Sequence, residues 1–136
     1  MKRLGLALLL SLWASAVWAQ GPVGPPQAIL CNKIANLPVG STTITQIVAA
    51  VTGKSIHLCG WHVTNTGATG TYSLSYGTGA NCGTGTTTIT PTTNVTSTAP
   101  DVDHTDYVIY DVPVSNALCV TSSVNTVSTL IFYSQF

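Results

Sequence analysis

Glutamate is absent from this chain of 136 residues, and arginine occurs once, at Arg3. Charged residues make up 6% of the chain, against roughly 25% in ordinary soluble domains. Beyond the first three residues the charges are Lys33, Lys54, Asp101, Asp103, Asp106 and Asp111, so this portion carries two minus four, or −2. Two separated lysines cannot neutralise a run of phosphates, which excludes nucleic acid as a partner. The same scarcity excludes a basic amphipathic helix lying on a membrane surface.

Catalytic signatures are as scarce. There is no G-x-S-x-G elbow for an α/β-type serine hydrolase. A glycosidase would have to work with aspartates alone, three of which fall within six residues. No Walker sequence is present, and no arginine beyond Arg3 is available to hold phosphate. Gly77, Gly79 and Gly83 are spaced G-x-G-x-x-x-G, which misses the dinucleotide fingerprint and suits a tight loop. The expectation is a protein that is not an enzyme and carries no cofactor.

What is present begins with an export signal. Lys2 and Arg3 precede an apolar run, Leu4 to Trp13, and small residues follow through Ala19. A run of this length fits a signal peptide over residues 1–19 and is too short for a bilayer span, which needs ~20 residues. The remaining 117 residues (136 less 19) suffice for one domain with a modest core. A Pro/Gly-rich lead over 20–27 cannot join a helix or a central strand, leaving 28–136 as the folded unit. The expected location is secreted, periplasmic or at the cell surface.

Four cysteines, Cys31, Cys59, Cys82 and Cys119, follow the signal. An even number in a small exported chain indicates two disulfides, and no C-x-x-C spacing suggests zinc. Three pairings are open to four cysteines. The preferred one ties Cys59 to Cys82, closing a loop onto its own hairpin, and Cys31 to Cys119.

The rest of the composition favours strands. Threonine occurs 22 times, valine is frequent, and turn residues recur every eight to twelve positions. Thr71 to Tyr76 alternates strictly, with Tyr72, Leu74 and Tyr76 on one face, and it follows an apolar stretch from Ser55 to Thr64. A turn over 65–70 joins them as an expected hairpin. Further strands are expected over 28–32, 42–49, 86–90, 107–112, 117–121 and 126–133, the second of these with a helical alternative. Thr90 to Asp106, with Pro91 and Pro100, is expected to be an exposed loop. The expected fold is all-β: a two-layer antiparallel sandwich, jelly-roll-like, of about seven or eight strands.

Few residues offer a binding surface. Asp101, Asp103 and Asp106 are weak calcium candidates, because the positions where an EF-hand needs glycine and glutamate hold Asp106 and Val112. His57 and His62 differ by an odd number and cannot share a metal from one strand. Trp61 falls on the face of His57, Cys59 and Val63, where a core role outweighs sugar stacking. Trp61, Tyr107 and Tyr110 are the candidate ligand-binding residues, since an amphipathic ring suits glycan stacking. A final strand ending in Phe136 invites comparison with outer-membrane barrels, but Ser128 and Ser134 interrupt its apolar face.

The stretches T-G-K-S-I-H-L-C-G at 52–60, N-C-G-T-G at 81–85 and A-L-C-V-T-S-S at 117–123 resemble small secreted four-cysteine β-sandwich proteins of bacteria and their phages. That resemblance implies a surface or virion-associated structural module and brings no catalytic residues. The sequence-based expectation is therefore a structural, adhesion or interaction module whose partner is a protein surface or a second copy. With so few charged residues to guard its edges, edge-to-edge association is expected, with the first and last strands as contacts. A carbohydrate-binding module is the alternative. A small hydrolase is third, and would need His104 or His57 beside an aspartate and a serine.

Overall fold

A computed structural model describes residues 31–37, 43–67, 69–104 and 108–136, with Asp103 and His104 through their backbone alone. The signal segment, the lead, Asp106 and Tyr107 lie outside these residues. Ten strands are formed among the described residues: β1 (Lys33–Leu37), β2 (Thr45–Val48), β3 (Ile56–Asn65), β4 (Gly70–Thr78), β5 (Thr84–Thr88), β6 (Thr93–Val95), β7 (Asp101–His104), β8 (Tyr110–Val112), β9 (Ala117–Ser122) and β10 (Val127–Gln135). Thr45–Val48 is extended rather than helical. Strand pairing starts at Lys33, so Cys31 and Asn32 of the expected 28–32 strand precede it.

All pairings are antiparallel and fall into two sheets. Sheet I runs β1-β10-β3, and β7 and β8 share the far side of β3. Sheet II runs β2-β9-β4, and β5 and β6 share the far side of β4. Each sheet is thus four columns wide. Numbered along the chain, the eight columns lie 1-8-3-6 and 2-7-4-5, which is the double-sheet jelly-roll order. The ten strands exceed the expected seven or eight because two edge columns are each built from two short pieces.

Alternation in β3 and β4 is real, yet the two do not form a hairpin. β3 pairs with β10 in sheet I and β4 with β9 in sheet II, so the turn after Asn65 crosses the sandwich. Period-two patterning says which face is buried and not which strand is adjacent. Buried Asn65 pins the crossing. Its Oδ1 accepts from the Gly67 N–H at 3.0 Å and the Thr126 hydroxyl at 2.6 Å, and its Nδ2 donates to the Val95 carbonyl at 3.1 Å. One side chain thereby holds the turn, the start of β10 and the far sheet. Gly67 follows because a Cβ there would meet Thr126 Oγ1 at 2.6 Å.

Between the sheets lies a core that includes Leu58 and Ile131 from one side and Tyr72, Leu74 and Leu118 from the other. Residue Cys59 is the extra residue of a β-bulge: Leu58 pairs with Tyr133 and Gly60 with Phe132. The bulge reverses the strand's alternation. Ile56 and Leu58 enter the core before it, Val63 and Asn65 after it. Trp61 therefore packs against the core with Val63 and leaves the face of His57, correcting the grouping expected from even spacing, and His57 and His62, expected on opposite faces, both lie on the outer face.

The disulfides are Cys31–Cys59 and Cys82–Cys119, with Cα separations of 6.2 and 6.3 Å, rather than the preferred pairing. Because β3 and β4 separate into different sheets, the loop holding Cys82 folds against β9 instead of β3. That loop turns through Gly79, Asn81 and Cys82, all at positive φ, and is tied to β2 by the Asn81 side chain accepting from the Gln46 N–H at 3.1 Å. Cys82, Ala117 and Cys119 are buried there with Ile44 beside them, a second small apolar cluster. Two further strands, β6 and β7, occur inside the expected loop 90–106.

Candidate functional site

Directly opposed residues in an antiparallel pair share a face, so the register lays out the outer face of sheet I. One row runs Asn36, Leu130, His62, Val102, and the next pairs Ile34 with Phe132. Ile34 is 64% exposed and Val102 56%, while Leu130, Phe132 and His62 are half-buried. No Lys, Arg or Glu side chain belongs to these rows. The outer face of sheet II presents Thr71 and Ser73 along β4 and a run of threonines along β5, whose residues are all exposed. The outer face of sheet I therefore mixes exposed Ile34 and Val102 and half-buried Leu130 and Phe132 with the polar Asn36, His62, Thr64 and Ser128, while that of sheet II is hydroxylated.

A third row of sheet I runs Asp111, His57, Ser134 across β8, β3 and β10. The Asp111 carboxylate can only accept, so the His57 Nδ1–H donates to its Oδ1, at 2.6 Å. The His57 ring stacks on Phe136 with centroids 4.3 Å apart. The side chains of His57 and Asp111 are 13% and 70% exposed, so water screens the pair from one side. This is the histidine–aspartate–serine juxtaposition that a hydrolase would need. The relay itself is not formed, since Ser134 Oγ is buried and makes no hydrogen bond among the described residues. A nucleophile must touch its base and be open to substrate, and Ser134 does neither.

The remaining sequence candidates are dispersed. Trp61 is half-buried, and its Nε1 is buried without a hydrogen-bond partner among the described residues. Tyr110 lies partly exposed between the sheets, its ring centroid 6.1 Å from that of Tyr76. Burial raises the Tyr110 phenol above its ordinary pKa, and the hydrogen bond to Tyr76 and its charge add to this. The Tyr76–Tyr110 pairing joins strands of different sheets and had no signal in the sequence. Asp101 receives a hydrogen bond from the buried Tyr72 hydroxyl across the sandwich, which gives this carboxylate a structural partner. Among the described residues no three His, Cys, Asp or Glu side chains converge on a metal position.

The fold defines a disulfide-bonded, double-sheet jelly-roll domain. No protein-family model, curated protein or solved structure matches the chain. Among the described residues no helix is long and apolar enough to cross a membrane.

Proposed function

We propose that the chain is an exported, non-catalytic structural or interaction module that contacts protein through the outer face of sheet I. One observation carries this reading: the two outer faces differ, and the one bearing Ile34 and Val102 exposes them by more than half. These two side chains lie on the two edge columns of the sheet, with Leu130 and Phe132 half-buried between them, and large apolar side chains exposed on one face support a contact there. Two disulfides support an oxidising compartment, in keeping with the signal-like segment at residues 1–19. Lysine-reactive cross-linking on intact producing cells or particles tests the reading through Lys33 and Lys54. The expected result is recovery of the chain in covalent protein complexes that Val102→Lys depletes. Recovery of free chain alone contradicts it.

A second reading, glycan binding, is favoured by the half-exposed Tyr76–Tyr110 pair, whose rings suit sugar stacking. Binding on a polysaccharide array that is lost in Tyr110→Ala supports it, and an array without binding removes it.

A further inference from the structure

We propose that the two disulfides have different roles: Cys31–Cys59 is an exchange site that an external dithiol opens in the folded chain, releasing β1, while Cys82–Cys119 stays closed. A thiolate of the dithiol attacks Cys31 Sγ, the Cys31–Cys59 bond breaks, and Cys59 leaves as a thiolate that takes a proton from water. The second thiol of the reagent then attacks the mixed disulfide at Cys31. It closes the reagent into a cyclic disulfide and frees Cys31 as a thiol. Two electrons pass from the dithiol to the bridge.

Access decides which bridge reacts, because the attacking thiolate must reach a sulfur. Cys82 and Cys119 are both 0% exposed, and Ala117 and Ile44 pack around them. The loop over this bridge is also fastened. Asn81 Oδ1 accepts from the Gln46 N–H at 3.1 Å, the Gly83 N–H donates to the Ala80 carbonyl at 3.0 Å, and the Thr86 hydroxyl donates to the Cys82 carbonyl. A reagent meets that bond only after the loop opens. Cys31 differs: it is half-buried and precedes Lys33, the first paired residue of β1. Its partner Cys59 is the buried extra residue of the β3 bulge, so attack falls on Cys31 and Cys59 is the leaving group.

The topology says what the bridge holds. β10 separates β1 from β3 in sheet I, so Cys31–Cys59 ties the head of β1 to a strand with which β1 makes no ladder. β1 has five residues, pairs with β10 alone, and includes no fully buried residue. Only Ala35 and Leu37 of this strand pack against the core. A short edge strand with so few buried contacts opens at small free-energy cost. Once the bridge is cut, β1 leaves and the remaining strands stay paired. β10, expected from the sequence to be a contact edge, lies between β1 and β3 and becomes an edge only when β1 departs. Cys119, in contrast, lies on β9, which is paired on both sides, with β2 and with β4.

The test treats the oxidised, exported chain with dithiothreitol under native conditions, traps thiols by alkylation at intervals, and maps them by peptide mass. Cys31 and Cys59 are expected to be alkylated at least about tenfold faster than Cys82 and Cys119, since a buried bridge waits on local unfolding. Hydrogen exchange on the species with one open bridge is expected to show protection lost across β1 and kept in β3, β4 and β9. The chain carrying Cys31→Ser and Cys59→Ser is expected to show the same loss in β1 without any reagent. Alkylation of all four cysteines at one rate, or of Cys82 and Cys119 first, overturns the proposal. So does a Cys31–Cys59 bridge that stays closed until the whole chain unfolds, or a β1 that remains protected once that bridge is open.

Discussion

Replacing Asn65 with alanine tests how the chain passes from one sheet to the other. Its side chain makes hydrogen bonds to Gly67, Thr126 and Val95, and all but 3% of its surface is buried. Each is worth about 1 kcal/mol net, and stranding the buried Val95 carbonyl adds to the loss, so Asn65→Ala is expected to cost about 3–4 kcal/mol. With a urea dependence of about 1.5 kcal/mol/M for a domain of this size, the unfolding midpoint falls by about 2–3 M at unchanged slope. Asn65→Asp is the diagnostic partner. It keeps both acceptor contacts at Oδ1 but turns the donor to Val95 into a second acceptor facing a carbonyl. It is therefore expected to be destabilised at neutral pH and to recover in part in acid, as the carboxyl protonates and can donate again. A midpoint shift of under about 0.5 M for Asn65→Ala would refute the claim that this side chain pins the crossing.

Other expectations follow from the same structure. Removing the second disulfide with Cys82→Ser and Cys119→Ser frees a loop of sequence separation 37, a loss of about 4 kcal/mol by chain entropy, read by urea unfolding under oxidising conditions. Gly77→Ala directs a Cβ at the Cys82 and Thr84 carbonyls, both 2.9 Å away, and is expected to cost about 1–3 kcal/mol in the same assay because backbone cannot yield. The Tyr110 phenol is raised in the folded state, first by burial. Its contribution to stability is therefore complete below the ordinary tyrosine pKa of 10.0 and is lost as pH rises through the higher folded value. An ultraviolet titration of wild type minus Tyr110→Phe should show a midpoint above 10.0; a midpoint at or below it contradicts the assignment.

The fold class was legible because strand patterning is local. Tyr72, Leu74 and Tyr76 share the inner face of β4, as their spacing required. Partners were not legible, because alternation is identical whether β3 pairs with β4 or crosses to another sheet. The cysteine pairing followed that error, since a Cys59–Cys82 bridge presumes a hairpin. The bulge at Cys59 was also invisible: one inserted residue reverses which side chains face inward, moving Trp61 away from His57. β6 and β7 were hidden by Pro91, Pro100 and a threonine-rich composition typical of loops, which short edge strands tolerate. The candidate face escaped notice because it comes from the register of β1, β10, β3 and β7. Ile34, Leu130, His62 and Val102 are far apart in the chain, and no local pattern joins them.

The most direct test of the central claim is a residue-resolved NMR comparison of the exported chain alone and mixed with the surface proteins of its producing cells or particles. Contact through the outer face of sheet I predicts shifts and broadening at Ile34, Asn36, Leu130, His62 and Val102, with Thr71 and Ser73 on the opposite flank unchanged. Changes confined to the short edge strands β2 and β5, or none at all, would contradict it.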